Sequence, residues 1–265
     1  MAGQGSPPAK VGDHFAVDGH VRFLYAALGM ATGGGFALAV WLPVQAALGH
    51  LTASWLAFAQ VHGHLQVMGF AGLFVLGVST KLLPRFGGGY LVRPGLVDAA
   101  FWLVVLGLLA RAVAQPFAET PVWGAVTAAG AAAEVAGSGL FLASAALSLR
   151  PSIAEGAPHA LLMLAGMCWL VGQAVLGGVW LTSMALDGHA VLRADRGMTL
   201  VTVQLFGFLL CVFSGVGLRS FPSFFGMPPV SVTLGRAAQQ SLSPVGQAAA
   251  GVRPGWSGDG AGSRG

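Results

Sequence analysis

Two histidines in a strongly apolar part of the chain are the residues best suited to chemistry. His62 and His64 lie in the run AQVHGHLQVMGF, and ionisable side chains inside an apolar span are costly and therefore candidates for a functional site. A neutral imidazole is a good axial ligand for haem iron and also binds copper. On a helix the two side chains are separated by about 200°. One metal ion therefore cannot take both as ligands unless the backbone is distorted.

Each histidine shares its helix face with other informative residues. His62 lies one turn before Gln66 and two turns before Gly69, whereas His64 lies one turn after Gln60. Gln66 is a candidate for the hydrogen bond to the second ring nitrogen that sets the tautomer of a ligating imidazole. The residues alone leave another interpretation open, in which both histidines hydrogen-bond neighbouring helices or line a polar cavity.

Two further ionisable residues fall in apolar runs. Glu134 lies in GAAAEVAGSG, where a carboxylate must be protonated or paired. It is a candidate proton relay, or a structural partner for a group such as Gln173. Arg111 lies near the end of another apolar run, from which its side chain can reach the interface or bind a haem propionate.

The composition identifies the elements that must position these residues. Of the 265 residues, 55% are hydrophobic and only 8% are charged, against about 25% charged in soluble domains, and the mean hydropathy is +0.75. With 13 Lys and Arg against 9 Asp and Glu, the chain lacks the basic surface of a nucleic-acid-binding protein. A membrane-spanning helix needs about 20 apolar residues. Six segments meet this length, near residues 21–48, 55–83, 96–114, 122–149, 160–186 and 198–221.

These segments predict an all-α, polytopic transmembrane bundle of six spans in contact with the lipid bilayer. The predicted organisation is a cytoplasmic segment 1–20, a transmembrane domain 21–226 and a disordered low-complexity tail 227–265. Basic residues favour the cytoplasmic side, so we predict that both termini are cytoplasmic. Ten then lie inside, and Arg111, Arg193 and Arg196 lie outside; the ten are Lys10, Arg22, Lys81, Arg85, Arg93, Arg150, Arg219, Arg236, Arg253 and Arg264.

An internal parallel repeat is predicted at an offset of 138 residues. The run HLQVMGFAGLFVLGVSTKLLPRF in span two matches TVQLFGFLLCVFSGVGLRSFPSF in span six. The same offset places span five over span one. The matched pairs include Gln66 with Gln204, Gly69 with Gly207, Gly77 with Gly215 and Pro84 with Pro222.

The run HGHLQVMGFAGLFVLGVSTKLLPRF resembles the superfamily of haem-copper oxidase subunit I, and within it most closely the NnrS-like membrane proteins. His62 stands seven residues before Gly69-Phe70, and His64 matches the second histidine of the NnrS-type His-x-His pattern. The resemblance implies a helical bundle in an inner (plasma) membrane, with a role in respiratory or nitric-oxide-linked redox metabolism. It also implies that His62 ligates haem iron. The expected cofactor-binding residues are His62, His64, Gln66 and Gly69, with His62 and His64 as metal ligands and copper as an alternative metal.

The chain also departs from that superfamily. Its members usually have about twelve spans, and no second His-His helix is present to build a copper centre. The repeat places Leu200 and Thr202 where His62 and His64 stand, so it supplies no opposite axial ligand. A homodimer or larger membrane complex would restore twelve helices. Two other interpretations stay open: a cofactor-free transporter or proton-conducting protein, and an assembly subunit. Soret absorption distinguishes a haem protein from both.

Overall fold

The computed structural model describes residues 13–89 and 91–228, and these residues form helices and connections without a strand. Six helices are long and apolar enough to cross a membrane, which confirms the all-α transmembrane bundle. They are α1 (Gly19–Ala47), α2 (Ala53–Gly87), α3 (Pro94–Phe117), α4 (Pro121–Ala154), α5 (Pro158–Leu186) and α6 (Ala194–Phe225). The helix containing α1 already begins at Asp13, inside the segment predicted to precede it. Apart from residues 227 and 228, the predicted tail lies outside the described residues.

Local sequence explains where the spans begin and end. Pro94, Pro121 and Pro158 occupy the first turns of α3, α4 and α5, where a missing N–H costs no helical hydrogen bond. Gly88 and Gly226 follow α2 and α6 with φ of 124° and 62°, a region that glycine enters without strain. The turn signals therefore agree with the hydropathy of the spans.

The spans pack mainly against their neighbours in sequence, and α2 is the most enclosed of them. It contacts α1 and also packs against α3, α4 and α6. Small residues bring α3 and α4 into near-backbone contact. A Cβ on Gly107 would lie 2.7 Å from the Gly130 carbonyl oxygen and 2.7 Å from Cγ of Glu134. This close packing brings the Glu134 side chain into the bundle beside α2.

Three of the spans contain a π-helical segment, a distortion that often occurs at functional sites. The segments are Ala31–Phe36 in α1, Leu65–Gly72 in α2 and Val203–Leu209 in α6. The α2 segment contacts both of the others. It begins directly after His64, so the two histidines stand where regular helix gives way to the distorted part of α2.

The α1–α2 and α5–α6 pairs share features at residues related by the 138-residue offset. The π segments of α2 and α6 begin at residues 65 and 203, which differ by that number. A Cβ on Gly77 would lie 3.1 Å from the His20 carbonyl oxygen in α1, and one on Gly215 would lie 2.9 Å from the His159 carbonyl oxygen in α5. These similarities support the predicted repeat, which remains an interpretation.

Candidate functional site

His62 faces α1. Its Nδ1 lies 2.9 Å from the Gly35 carbonyl oxygen, so Nδ1 carries the proton and donates. The side chain is half-buried. Gly35, within the π segment of α1, therefore takes the tautomer-setting role that we predicted for Gln66. Gln66 instead packs its amide over Gly35, and Gly69 lies against Met30 of α1.

His64 faces the opposite way, toward α4 and α6. It is buried, and its Nε2 lies 2.9 Å from Oε2 of Glu134. Its Nδ1 lies 3.5 Å from the amide nitrogen of Gln204. The carboxylate accepts from Nε2–H and Nδ1 faces an amide donor, so one imidazole tautomer serves both contacts. The two histidines thus have partners on different spans, as the 200° separation predicts.

Two glutamines extend the polar cluster around His64. Nε2 of Gln204 donates to Oε1 of Gln173 over 2.9 Å. Among the described residues, neither Oε1 of Glu134 nor Nε2 of Gln173 has a hydrogen-bond partner. Both residues line a cavity of about 10 Å³ beside His64, close to the volume that one buried water needs. The predicted Glu134–Gln173 contact is therefore replaced by separate bonds to His64 and Gln204, with a water-sized gap between them.

Arg111 is buried within the bundle, and its side chain is 5% exposed rather than extended to the interface. Its Nε donates to Oε1 of Gln115 over 2.9 Å, and Nε2 of Gln115 donates to Oε1 of Gln60 over 3.1 Å. Gln60 in turn bonds both backbone groups of Leu192, in the connection before α6. Gln115 was not singled out from the sequence, because it precedes Pro116 in a predicted break between spans.

A cavity of about 280 Å³ joins these groups. Its polar side chains come from α2, α3 and α6, and its other walls are small or apolar; it is lined by Ala59, Gln60, Gly63, His64, Arg111, Leu192, Ala194, Gly197, Met198, Leu200, Val201 and Gln204. Leu192 and Ala194 lie at one end of the bundle, which is formed by the connections 48–52, 118–120 and 187–193. This end is here called the cavity end. His64 lies roughly 16 Å along α2 from Ala53, at 1.5 Å per residue. The cavity therefore extends from the cavity end to well inside the bundle.

The expected metal ligands fit haem only in part. His62 has the arrangement typical of a ligating histidine, because Nδ1–H bound to a carbonyl leaves the Nε2 lone pair for a metal. Both ring nitrogens of His64, by contrast, already face protein partners. The volume of the larger cavity, about 280 Å³, is slightly below the ~300–1,000 Å³ typical of pockets for drug-sized ligands. This cavity is therefore too small for haem. In the described part of the chain, no group of three His, Cys, Asp or Glu side chains is placed to hold a metal ion.

Comparison with known proteins returns no match, whether to a protein-family model, a curated protein or a solved structure.

Proposed function

We propose that this chain binds a small polar solute inside its helix bundle and passes it across the membrane. The observation that carries the proposal is the 280 Å³ cavity, to which three membrane-spanning helices each contribute a polar side chain. Polar groups in a bilayer are expensive and usually mark the path of a solute or ion. This cavity has four polar side chains in its lining, those of Gln60, His64, Arg111 and Gln204.

Four polar side chains in an otherwise apolar or small-residue lining can hydrogen-bond such a solute. Gln60, Gln115 and Arg111 form a chain of hydrogen bonds from the cavity to the backbone of Leu192. This chain anchors the polar wall to the connection before α6. The solute would leave water at the cavity end and meet amide and guanidinium donors on the way in.

The His64–Glu134 pair supplies a group that can exchange a proton with the cavity. His64 lines the 280 Å³ cavity on one side and bonds Glu134 on the other. A transferred proton would stay within a hydrogen-bonded pair rather than on an isolated side chain. The arrangement therefore supports proton conduction or proton-coupled movement of the solute.

Filling the cavity tests the proposal directly. A Cβ on Gly63 meets nothing within 4 Å, so Gly63→Leu extends into the cavity without a backbone clash. We expect purified protein in liposomes to admit at least one member of a panel of small polar solutes in a swelling assay. Gly63→Leu should reduce that rate at least tenfold.

The matched control is Gly29→Leu, because Gly29 is exposed on α1 and also has nothing within 4 Å of its Cβ. It should leave the rate unchanged. Equal rates for wild type and Gly63→Leu across the panel would reject the proposal.

A second candidate function is haem binding through His62, in a respiratory or nitric-oxide-linked membrane protein. The hydrogen bond from Nδ1–H of His62 to the Gly35 carbonyl supports it, because that bond leaves Nε2 as the ligating atom. Bound haem would supply redox chemistry at its iron. His62 would be the residue of this chain that holds the iron, through Nε2.

A further inference from the structure

Arg111 is a buried cation without a bonded counter-ion in the described part of the chain. Its side chain is 5% exposed, and no described carboxylate oxygen lies within 4.0 Å of its nitrogens. The neighbouring carboxylate, Glu134, bonds His64 instead. Arg111 and Glu134 attract each other through space, without a hydrogen bond between them. Among the described residues the guanidinium therefore has no directly bonded ionic partner.

The guanidinium also keeps hydrogen-bonding capacity on the cavity side. Nε is used by Gln115, and among the described residues the two Nη groups have no hydrogen-bond partner. Arg111 lines the 280 Å³ cavity together with the neutral amides of Gln60 and Gln204. The two Nη groups can each donate one hydrogen bond to the two oxygens of a carboxylate. Geometry and charge thus favour an anion in the cavity.

The cavity end carries charges of both signs. Arg196 directly precedes Gly197, which lines the cavity, and its guanidinium carbon lies 5.9 Å from the centre of the Trp180 ring. Arg193 lies nearby but is paired with Asp195. Glu119 and Asp187 also lie at this end. Selection of an anion would therefore depend on Arg111 inside the cavity rather than on the charge around it.

We propose that the cavity binds a small monocarboxylate, with Arg111 as its counter-ion. This inference rests on the proposed solute-binding function and names the solute class. The volume of about 280 Å³ limits the ligand to one smaller than a typical drug molecule. Acetate and benzoate satisfy both the charge and the size.

Matched ligand pairs separate charge from shape. We expect acetate and benzoate to raise the melting temperature of purified wild-type protein with a saturable concentration dependence. The neutral isosteres acetamide and benzamide should bind at least tenfold more weakly. Equal binding of the amides and the carboxylates would overturn the proposal.

Matched variants locate the site. Arg111→Gln should weaken benzoate binding at least tenfold, and Arg111→Lys should weaken it less, because lysine keeps the charge but loses the planar fork. Arg150→Gln removes an exposed arginine of α4 and should leave binding unchanged. Retained benzoate affinity in a folded Arg111→Gln protein would reject the assignment.

Gly63→Leu provides a second, independent variant that leaves Arg111 in place, so the proposal stays falsifiable if Arg111→Gln does not fold. It should abolish benzoate binding by filling the cavity, and undiminished binding would overturn the proposal. The two proposals fail separately. Solute passage that Gly63→Leu blocks, without any preference for carboxylates, rejects the anion site alone. Carboxylate binding that depends on Arg111, without any solute passage, rejects the transport function alone.

Discussion

A histidine inside a bilayer must satisfy its ring nitrogens, and the two histidines of α2 do so differently. His62 uses a backbone carbonyl, whereas His64 uses a carboxylate and faces an amide. Only the first arrangement leaves a lone pair for a metal. If His62 binds haem, the protein purified after expression with ample haem should show a Soret band, and His62→Ala should abolish or shift it while the protein still inserts. Gln204→Ala, on the other side of α2, should leave the band unchanged.

An absorption spectrum of each purified variant checks this prediction. An unchanged spectrum with stoichiometric haem in His62→Ala would exclude His62 as the ligand. A colourless wild type would exclude haem binding altogether.

Because His64 and Glu134 form a buried pair, substitutions at the two positions should have non-additive effects on the free energy of unfolding. His64→Ala leaves the Glu134 carboxylate without its 2.9 Å partner, and breaking a buried pair in this way costs about 3 kcal/mol. The double variant with Glu134→Gln should lose less stability than the sum of the two single variants, because each single substitution already breaks the same hydrogen bond. The free energy of unfolding in detergent, measured for both single variants and the double variant, tests the coupling. Strictly additive effects would mean that the two side chains do not interact.

Among the elements, the α3–α4 contact determines where Glu134 stands. A methyl group on Gly107 would overlap the Gly130 carbonyl and the Glu134 side chain. We therefore expect Gly107→Ala to force the helices apart and to cost about 1–3 kcal/mol. Gly139→Ala, also in α4, is the control, because its Cβ would meet nothing within 4 Å. Melting temperatures of the two variants in the same detergent compare them, and equal stability would contradict the close contact.

The helices could be predicted from the sequence because a bilayer imposes a minimum length on an apolar run. All six predicted segments lie within the observed helices or at most one residue beyond their ends. The pairing of side chains between spans could not be predicted in the same way. It depends on which face of each helix meets its neighbour, and hydropathy does not encode that when most faces are apolar.

The residues of the site illustrate the difference. The opposite directions of His62 and His64 follow from helical rotation alone. The hydrogen bond from His62 to the Gly35 carbonyl depends on how the π segments of α1 and α2 pack together. Such distortions leave no clear signal in the sequence. Gln115 sits in a short 3-10 helix, Gln115–Phe117, at the end of α3, where the Pro116 break suggested only a connection. Its burial results from packing beneath Gln60 and the connection 187–193.

At the scale of the whole molecule, charge and cavity together define two ends. The described basic residues at the end opposite the cavity end are six: Arg22, Lys81, Arg85, Arg93, Arg150 and Arg219. Only Arg193 and Arg196 lie at the cavity end, since Arg111 is buried inside the bundle. The positive-inside rule applies to connections and span ends. Leaving Arg111 out of the count of basic residues at the cavity end therefore increases the predicted difference in basic residues between the two ends.

This asymmetry predicts that the cavity end faces away from the cytoplasm. Alkaline phosphatase, which is active only outside, should be active when fused within 118–120 and inactive when fused after Gly226. A green fluorescent protein fusion should give the opposite pattern, because it fluoresces inside. A phosphatase fusion at the 155–157 connection should match Gly226 as a control, since both lie at the same end. Matching signals at 118–120 and Gly226 would reject the six-span topology. A full reversal would keep six spans but direct the cavity toward the cytoplasm, so that Arg111 would meet its solute from within the cell.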